Sequence, residues 1–314
     1  MPPAGGCVSL WIGCVSANTR GAPVWARGVL AMLIAQVTDI HLGFQPDNPA
    51  EMNRKRFDAV VDALLALNPQ PDLLLATGDL TENGSIASYQ TLKSITDRLP
   101  FPVHFALGNH DDRANFRQVF PAAPATESGH VQYDIDCGPL RLVVIDTLED
   151  GLHGGAFTAD QAAWLDAALA SDARPTILVL HHPPIETGNG WMTEDVDAPW
   201  VKRLAQVVGR HRHLIRMVTG HLHRAIVTGW HGTTLAVCPS SAPQVALDFR
   251  SIDGENPDGR DMVVAEPPGF ALHYWTGTAL ITHFGAAGDH AVLARYNARM
   301  QPSVRHILAE RGLN

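Results

Sequence analysis

The sequence predicts an α/β fold built on mixed β-sheets, and three observations carry that prediction. Downstream of Met32 the chain sets short apolar runs against longer segments of helical period in a β-α-β-α-β order, the arrangement of parallel strands covered on both faces. Further along, strand candidates succeed one another without intervening helices, which reads as hairpins and makes the sheets mixed. Composition supports a packed core: 314 residues, 46% apolar and 18% charged, are outside the range of disordered chains. No run of ~18 apolar residues is free of charged or turn residues, so no membrane-spanning helix is predicted.

Leu33–Thr38 is short, apolar and branched, as a buried strand requires. Across Glu51–Leu67, the residues Phe57, Val60, Val61, Leu64 and Leu65 form a helical stripe. Asp72–Thr77 is the next strand, Ser85–Leu99 a helix and Val103–Leu107 a strand. His130–Asp136 and Leu140–Ile145 are paired strand candidates. Thr158 before Ala159-Asp160-Gln161 is an N-cap opening a helix that runs to Ala170. Thr176–Leu180, Leu214–Thr219, Ala225–Gly229, Leu235–Val237, Phe270–Trp275 and Ala279–Phe284 complete the strands, and Ser303–Arg311 has helical character. Residues 183–199 and 239–269, rich in Pro, Gly and Asp, are long enough to read as functional loops, and no internal repeat is present.

Residues 1–31 differ from the rest. Cys7 to Val15 has the apolar character of a signal-peptide core, but Met1 to Gly6 carries no positive charge. The expectation is an artefactual or loose extension, with translation naturally starting at Met32, and a shorter chain from Met32 that folds and works. The four cysteines, Cys7, Cys14, Cys137 and Cys238, include no CxxC pair. That pattern fits a reducing, cytoplasmic setting rather than a zinc ribbon or disulfide scaffold. Lys+Arg 23 against Asp+Glu 32 gives a net charge of −9. Duplex nucleic acid, which attracts basic surfaces, is a poor partner for such a chain. A small phosphate ligand is compatible, because bound cations can supply positive charge locally.

The chemistry gathers where strands end, the place at which open α/β sheets collect ligands. Five apolar strands each lead into a polar cluster: Asp39-Ile40-His41, Gly78-Asp79, Gly108-Asn109-His110-Asp111, His181-His182-Pro183-Pro184 and Gly220-His221-Leu222-His223. Six of the 16 histidines fall in these motifs. Singly, each is weak: Asp79 after a glycine can be a turn residue, and a lone histidine is usually hydrogen-bonded structure. Together they crowd carboxylates and imidazoles at one sheet edge. Buried charges need pairing or coordination, and metal ions meet that need.

This ordered set resembles the calcineurin-like metallophosphoesterases, and looks most like the branch with bacterial class III cyclic-nucleotide phosphodiesterases and glycerophosphodiesterases. The resemblance spans about residues 32–284 and includes Gly188-Asn189 after the His-His-Pro-Pro run, leaving 285–314 as a C-terminal tail. It implies a four-layer sandwich of two stacked mixed sheets flanked by helices, with 183–199 and 239–269 as cap or interface loops and a homodimer or larger assembly. It also implies a two-metal site: Asp39, His41 and His223 on one ion, Asn109, His181 and His221 on the other, and Asp79 bridging. Imidazole and oxygen ligands without thiolate suit two divalent or trivalent ions of Mn, Fe, Zn or Co. The implied activity is hydrolysis of small phosphodiesters by a hydroxide generated at the metals. His110 is the implied phosphate donor or acid for the leaving alkoxide, with an orienting role for the loop as its alternative. Asp111 is expected to hold the His110 ring, as carboxylates commonly do beside metal sites. His182 is expected to point away from His181, since neighbours in extended chain face oppositely. His153, on a Gly-rich loop, is within reach of a substrate but reads as incidental. Glu82 departs from the GDxxY motif of purple acid phosphatases, which argues against that branch. The alternatives are a broad phosphomonoesterase and a scaffold of the same fold without catalysis; the complete ligand set argues against the scaffold, and the charge of −9 against a nuclease.

Overall fold

A computed structural model of the chain describes residues 31–46 and 48–312. The extension expected at 1–31 lies, for residues 1–30, outside the described residues. Two sheets dominate. The first has five strands in the order β13 (Leu280–Ala286), β12 (Gly269–Trp275), β1 (Met32–Val37), β2 (Leu73–Thr77) and β3 (Val103–Ala106). Here β1, β2 and β3 are parallel, while β12 is antiparallel to both β1 and β13. The second has six strands in the order β4 (Tyr133–Cys137), β5 (Leu140–Val144), β6 (Thr176–Val179), β7 (Leu214–Thr219), β9 (Thr233–Val237) and β8 (Ile226–Trp230). Its centre, β5-β6-β7-β9, is parallel, with antiparallel hairpin partners β4 and β8 at the edges. The expected mixture is therefore present: the second sheet is antiparallel at both edges, and the first at its β12-β13 side alone.

Helices flank both sheets. One continuous apolar cluster joins Phe57, Val60 and Leu64 of α1 (Met52–Leu65) and Leu92 of α2 (Ile86–Thr96) to Ile34 and Val37 of the first sheet. It continues to Leu142, Val144, Ile177 and Val218 of the second. The other cluster lies under α4 (Ala159–Ala170) and α5 (Pro199–Val208), with Leu165, Leu169, Leu204 and Val208 against Leu178 and Met217. Gln36 bridges the sheets directly: its Nε2 donates to Thr77 Oγ1 at 2.9 Å and to the Thr219 carbonyl at 3.0 Å.

The starts of the helices reflect local chemistry. Ser85 caps α2 by accepting from Ser88 N at 3.2 Å. Thr158 and Gln161 form a reciprocal capping box on α4. Two helices go beyond the sequence reading. The first, α3 (Arg113–Val119), is seven residues long, too short for a periodic stripe, and is capped by Asp112. The other, α5, opens with Pro199 and buries Trp200, Val201, Leu204, Val207 and Val208. Within 239–269 a two-stranded ribbon, β10 (Gln244–Val245) with β11 (Val263–Val264), replaces a wholly irregular loop. Near the C-terminus α6 (Gln301–Glu310) buries no residue. No helix among the described residues is long and apolar enough to cross a membrane.

Candidate metal centre

The ends of β1 and β2 are laced together before any side chain is considered. Asp39 N donates to the Gly78 carbonyl at 3.0 Å, and Ile40 N and His41 N donate to the Asp79 carbonyl at 2.8 and 2.9 Å. From the second sheet, His221 N donates to Asp39 Oδ2 at 2.9 Å and Gly220 N to the His181 carbonyl at 3.0 Å. These bonds put the turns after β1, β2, β6 and β7 into one cluster. The backbone is bent hard to achieve it. Six non-glycine residues among those described have positive φ, and five are Asp39, His41, Asp79, His221 and His223. Such φ values are uncommon outside glycine and gather where structure is held for function.

Glycines let the pieces meet. A Cβ on Gly78 would stand 2.3 Å from His181 Nδ1; one on Gly108 would stand 2.3 Å from Asp79 Oδ1; one on Gly220 would stand 1.8 Å from Thr38 Oγ1. All three are within motifs read from the sequence.

Three imidazoles with a committed Nδ1 face the carboxylates. His181 Nδ1 donates to the Thr77 carbonyl and His223 Nδ1 to the Pro243 carbonyl, each at 2.8 Å, while His41 Nδ1 lies 2.9 Å from Glu82 Oε2. An acceptor at Nδ1 fixes the proton there and turns the Nε2 lone pair inward. The three Nε2 atoms then face oxygens and one another. His181 Nε2 is 3.3 Å from Asp79 Oδ2, His41 Nε2 is 3.6 Å from the same atom, and His223 Nε2 is 3.4 Å from Asp39 Oδ1. His41 Nε2 and His223 Nε2 are 3.2 Å apart. His181 Nε2 is buried with no hydrogen-bond partner. Lone pairs converging on carboxylates in a buried space need a cation between them. The residues present therefore fit a metal centre, and the donor set of imidazole and oxygen suits transition-metal ions.

Four overlapping groups have donor atoms within coordinating reach of one another: Asp39-His41-His223, Asp39-Asp79-His181, His41-Asp79-His110 and His181-His182-His221. Charge balance points the same way. Burial opposes charging His181, yet the Asp79 and Asp39 carboxylates push it up to about 9. Burial works against the Asp79 anion as well, and His181, with His41 and His110, nevertheless holds its carboxyl well below the usual range. By contrast, burial and the charge of His181 lower His221 to about 3. Carboxylates that stay charged beside imidazoles draw positive charge into the cluster.

His110 and Asn109 flank this cluster. His110 N donates to Asp79 Oδ1 at 2.9 Å, and its Nδ1 donates to the Glu82 carbonyl at 2.8 Å. The His110 ring stands edge-on to His41 at 4.6 Å between centroids. Asn109 Oδ1 lies 3.2 Å from His182 Nε2, beside the His181-His182-His221 group.

Two details of the sequence reading are corrected. Asp111 does not hold His110. Its carboxylate turns back into its own loop and accepts from Gly108 N at 2.9 Å, Leu80 N at 3.2 Å and the Tyr89 hydroxyl at 3.0 Å. Burial and the nearby Asp79 charge push it up to about 7. The groups that do hold His110 and His41 are the carbonyl and carboxylate of Glu82, a residue noted in the sequence only as a departure from a motif. Nor do His181 and His182 face apart: their ring centroids are 4.7 Å apart, both beside His221. β6 ends at Val179, so strand alternation no longer governs them. His182 Nδ1 pairs with the Thr147 hydroxyl at 2.8 Å. Arg56, which donates to the Ser241, Ala242 and Glu266 carbonyls, fastens the 239–269 loop behind Asp39 and went unnoticed in the sequence.

Comparison with known proteins agrees with this geometry. A probable glycerophosphodiester phosphodiesterase of Arcobacter nitrofigilis is 29% identical over 82% of this chain and 94% of its own length. A probable cyclic nucleotide phosphodiesterase of Synechococcus is 32% identical over 75% of this chain and 92% of its own. Among solved structures, a dimetal phosphatase from Danio rerio has the same fold, with a TM-score of 0.55 at 13% identity, covering 80% of this chain and 98% of that one. The family model for calcineurin-like phosphoesterases matches residues 32–225, and the chain belongs to that family.

Proposed function

We propose that the protein is a binuclear metal-dependent phosphodiesterase acting on small phosphodiesters, with 3′,5′-cyclic nucleotides and glycerophosphodiesters as candidate substrates. The observation that carries this reading is the convergence of three Nδ1-anchored imidazoles, His41, His181 and His223, on the buried carboxylates of Asp39 and Asp79. Two relatives named for those substrate classes support it. Asp39, His41 and His223 would hold one ion, Asn109, His181 and His221 the other, and Asp79 would serve both. When bound, two ions of the Mn, Fe, Zn or Co class activate water and neutralise phosphoryl charge. The chain supplies the rest. Glu82 fixes His41 and, through its carbonyl, His110. With Nδ1 so committed, Nε2 of His110 is the ring atom left to give a proton to the departing alkoxide. The reading extends to a cytoplasmic homodimer, in line with the cysteine usage and the family resemblance.

The test is activity of metal-reconstituted protein on cyclic nucleotides, glycerophosphodiesters, aryl diesters and aryl monoesters. Diesters should turn over fastest. A positioned acid contributes ~10²–10⁴-fold, so His110→Ala should keep its metal and slow alkyl or cyclic diesters by that order. Activated aryl diesters, whose leaving group needs no proton, should slow less. Monoesters outpacing every diester would favour the phosphomonoesterase alternative; full metal content without turnover would favour the scaffold.

A further inference from the structure

One imidazole beside the cluster is used by nothing above. His153 lies between β5 and α4, exposed to solvent, with its ring centroid 4.6 Å from that of His221. Among the described residues neither of its ring nitrogens has a hydrogen-bond partner, whereas His41, His110, His181, His182 and His223 all have one.

The loop that carries it is fastened on both sides. Ahead of it, Arg113 donates to the Leu148 carbonyl at 2.6 Å and to Asp150 Oδ1 at 3.3 Å, and Leu152 N closes a turn onto the Glu149 carbonyl at 3.1 Å. Behind it, Ala156 N donates to the Thr147 carbonyl at 2.9 Å. Gly155 packs so tightly that a Cβ would stand 2.9 Å from His182 Cβ and 3.0 Å from the Trp200 ring. The loop therefore delivers an uncommitted imidazole to one end of the cluster. His110 stands against His41.

We propose that His153 is a substrate-binding residue that donates a hydrogen bond to an oxygen of the bound phosphodiester on the His221 side of the cluster. A hydrogen bond with one ionised partner is among the stronger ones a protein makes, so its loss should be legible in affinity. The assignment rests on the phosphodiesterase reading for the identity of the ligand.

Two measurements on metal-loaded protein test it. Calorimetric titration with dimethyl phosphate, a minimal diester, reads the contact without turnover; kinetics on an aryl diester divide KM from kcat. His153→Ala should weaken dimethyl phosphate binding and raise KM by about tenfold, the loss of one charge-assisted hydrogen bond, with kcat nearly unchanged and metal content intact. His153→Gln, which keeps an N–H donor, should recover part of that loss. Unchanged affinity and KM in His153→Ala would make the residue incidental, and loss of a metal ion would make it a ligand instead; either overturns the proposal. Wild-type protein that binds dimethyl phosphate through His153 but hydrolyses no diester would refute the phosphodiesterase reading and leave the contact standing.

Discussion

Gly78 offers a way to test the architecture of the centre without touching a donor atom. It sits at φ +95°, and an added Cβ would meet three atoms of His181, at 2.3, 2.6 and 2.8 Å. His181 is fully buried and tied to the Thr77 carbonyl through Nδ1 at 2.8 Å, so the ring has little room to swing away. Two costs add in Gly78→Ala. The left-handed backbone costs a residue with a Cβ ~1–2 kcal/mol, and overpacking a fixed interior costs ~1–3 kcal/mol. Their total, ~2–5 kcal/mol, is separable by comparison with Gly138→Ala. Gly138 is at φ +71° with nothing within 4 Å of the added Cβ, so only the first cost, ~1–2 kcal/mol, applies there. Urea unfolding of both variants gives the difference. Metal titration should then show roughly 10–100-fold weaker binding in Gly78→Ala alone, the range for lost support of a ligand. Equal stabilities with unchanged metal affinity would mean that the Gly78–His181 contact does not position the site.

Two predictions concern the scaffold. Burial holds His273 neutral, lowering it to about 3, with Nε2 donating to Gln36 Oε1 at 3.0 Å. Between about pH 6.5 and pH 3 the unfolded imidazole binds a proton that the folded one does not, so this residue removes stability as pH falls, by about 1.4 kcal/mol per pH unit. His273→Gln should be less stable at pH 7.5 but lose less on acidification; parallel urea-unfolding midpoints at about pH 7.5, 6 and 5 would contradict that. Thr158→Ala removes the cap of α4 and should cost about 1 kcal/mol, with Thr158→Ser close to wild type, by the same unfolding assay.

What the sequence made legible were features with a side-chain signature repeated at fixed places. Apolar runs ending in Asp39, Asp79, Asn109, His181 and His221 mark strands and their polar turns, because a strand is short and the turn at its end lies on the sheet edge. The cap at Thr158 was equally readable. Supporting contacts were not. The Pro243 and Thr77 carbonyls that set two imidazole tautomers belong to every residue alike, so no sequence pattern marks them. Asp111 was misassigned because adjacency to His110 suggested a pair, while burial and three backbone N–H groups drew its carboxylate the other way. Strand alternation does not reach His181-His182 because the chain leaves strand geometry two residues earlier. α5 carried a clear stripe, Trp200 to Val208, immediately after a segment whose Pro, Gly and Asp content drew attention to a loop.

The proposed centre turns on Asp79, shared by two metal ions. It is tested most directly by metal content per chain, measured by elemental analysis after reconstitution and desalting, in the wild type and in Asp79→Asn. The Asp79 carboxylate is buried and faces both His41 and His181. A neutral amide there withdraws the charge that two cations would divide. Two ions per wild-type chain, falling to one or none in a folded Asp79→Asn protein that no longer hydrolyses diesters, is the predicted result. A variant that keeps both ions and its turnover, or a wild type that never holds more than one, would rule out a shared Asp79.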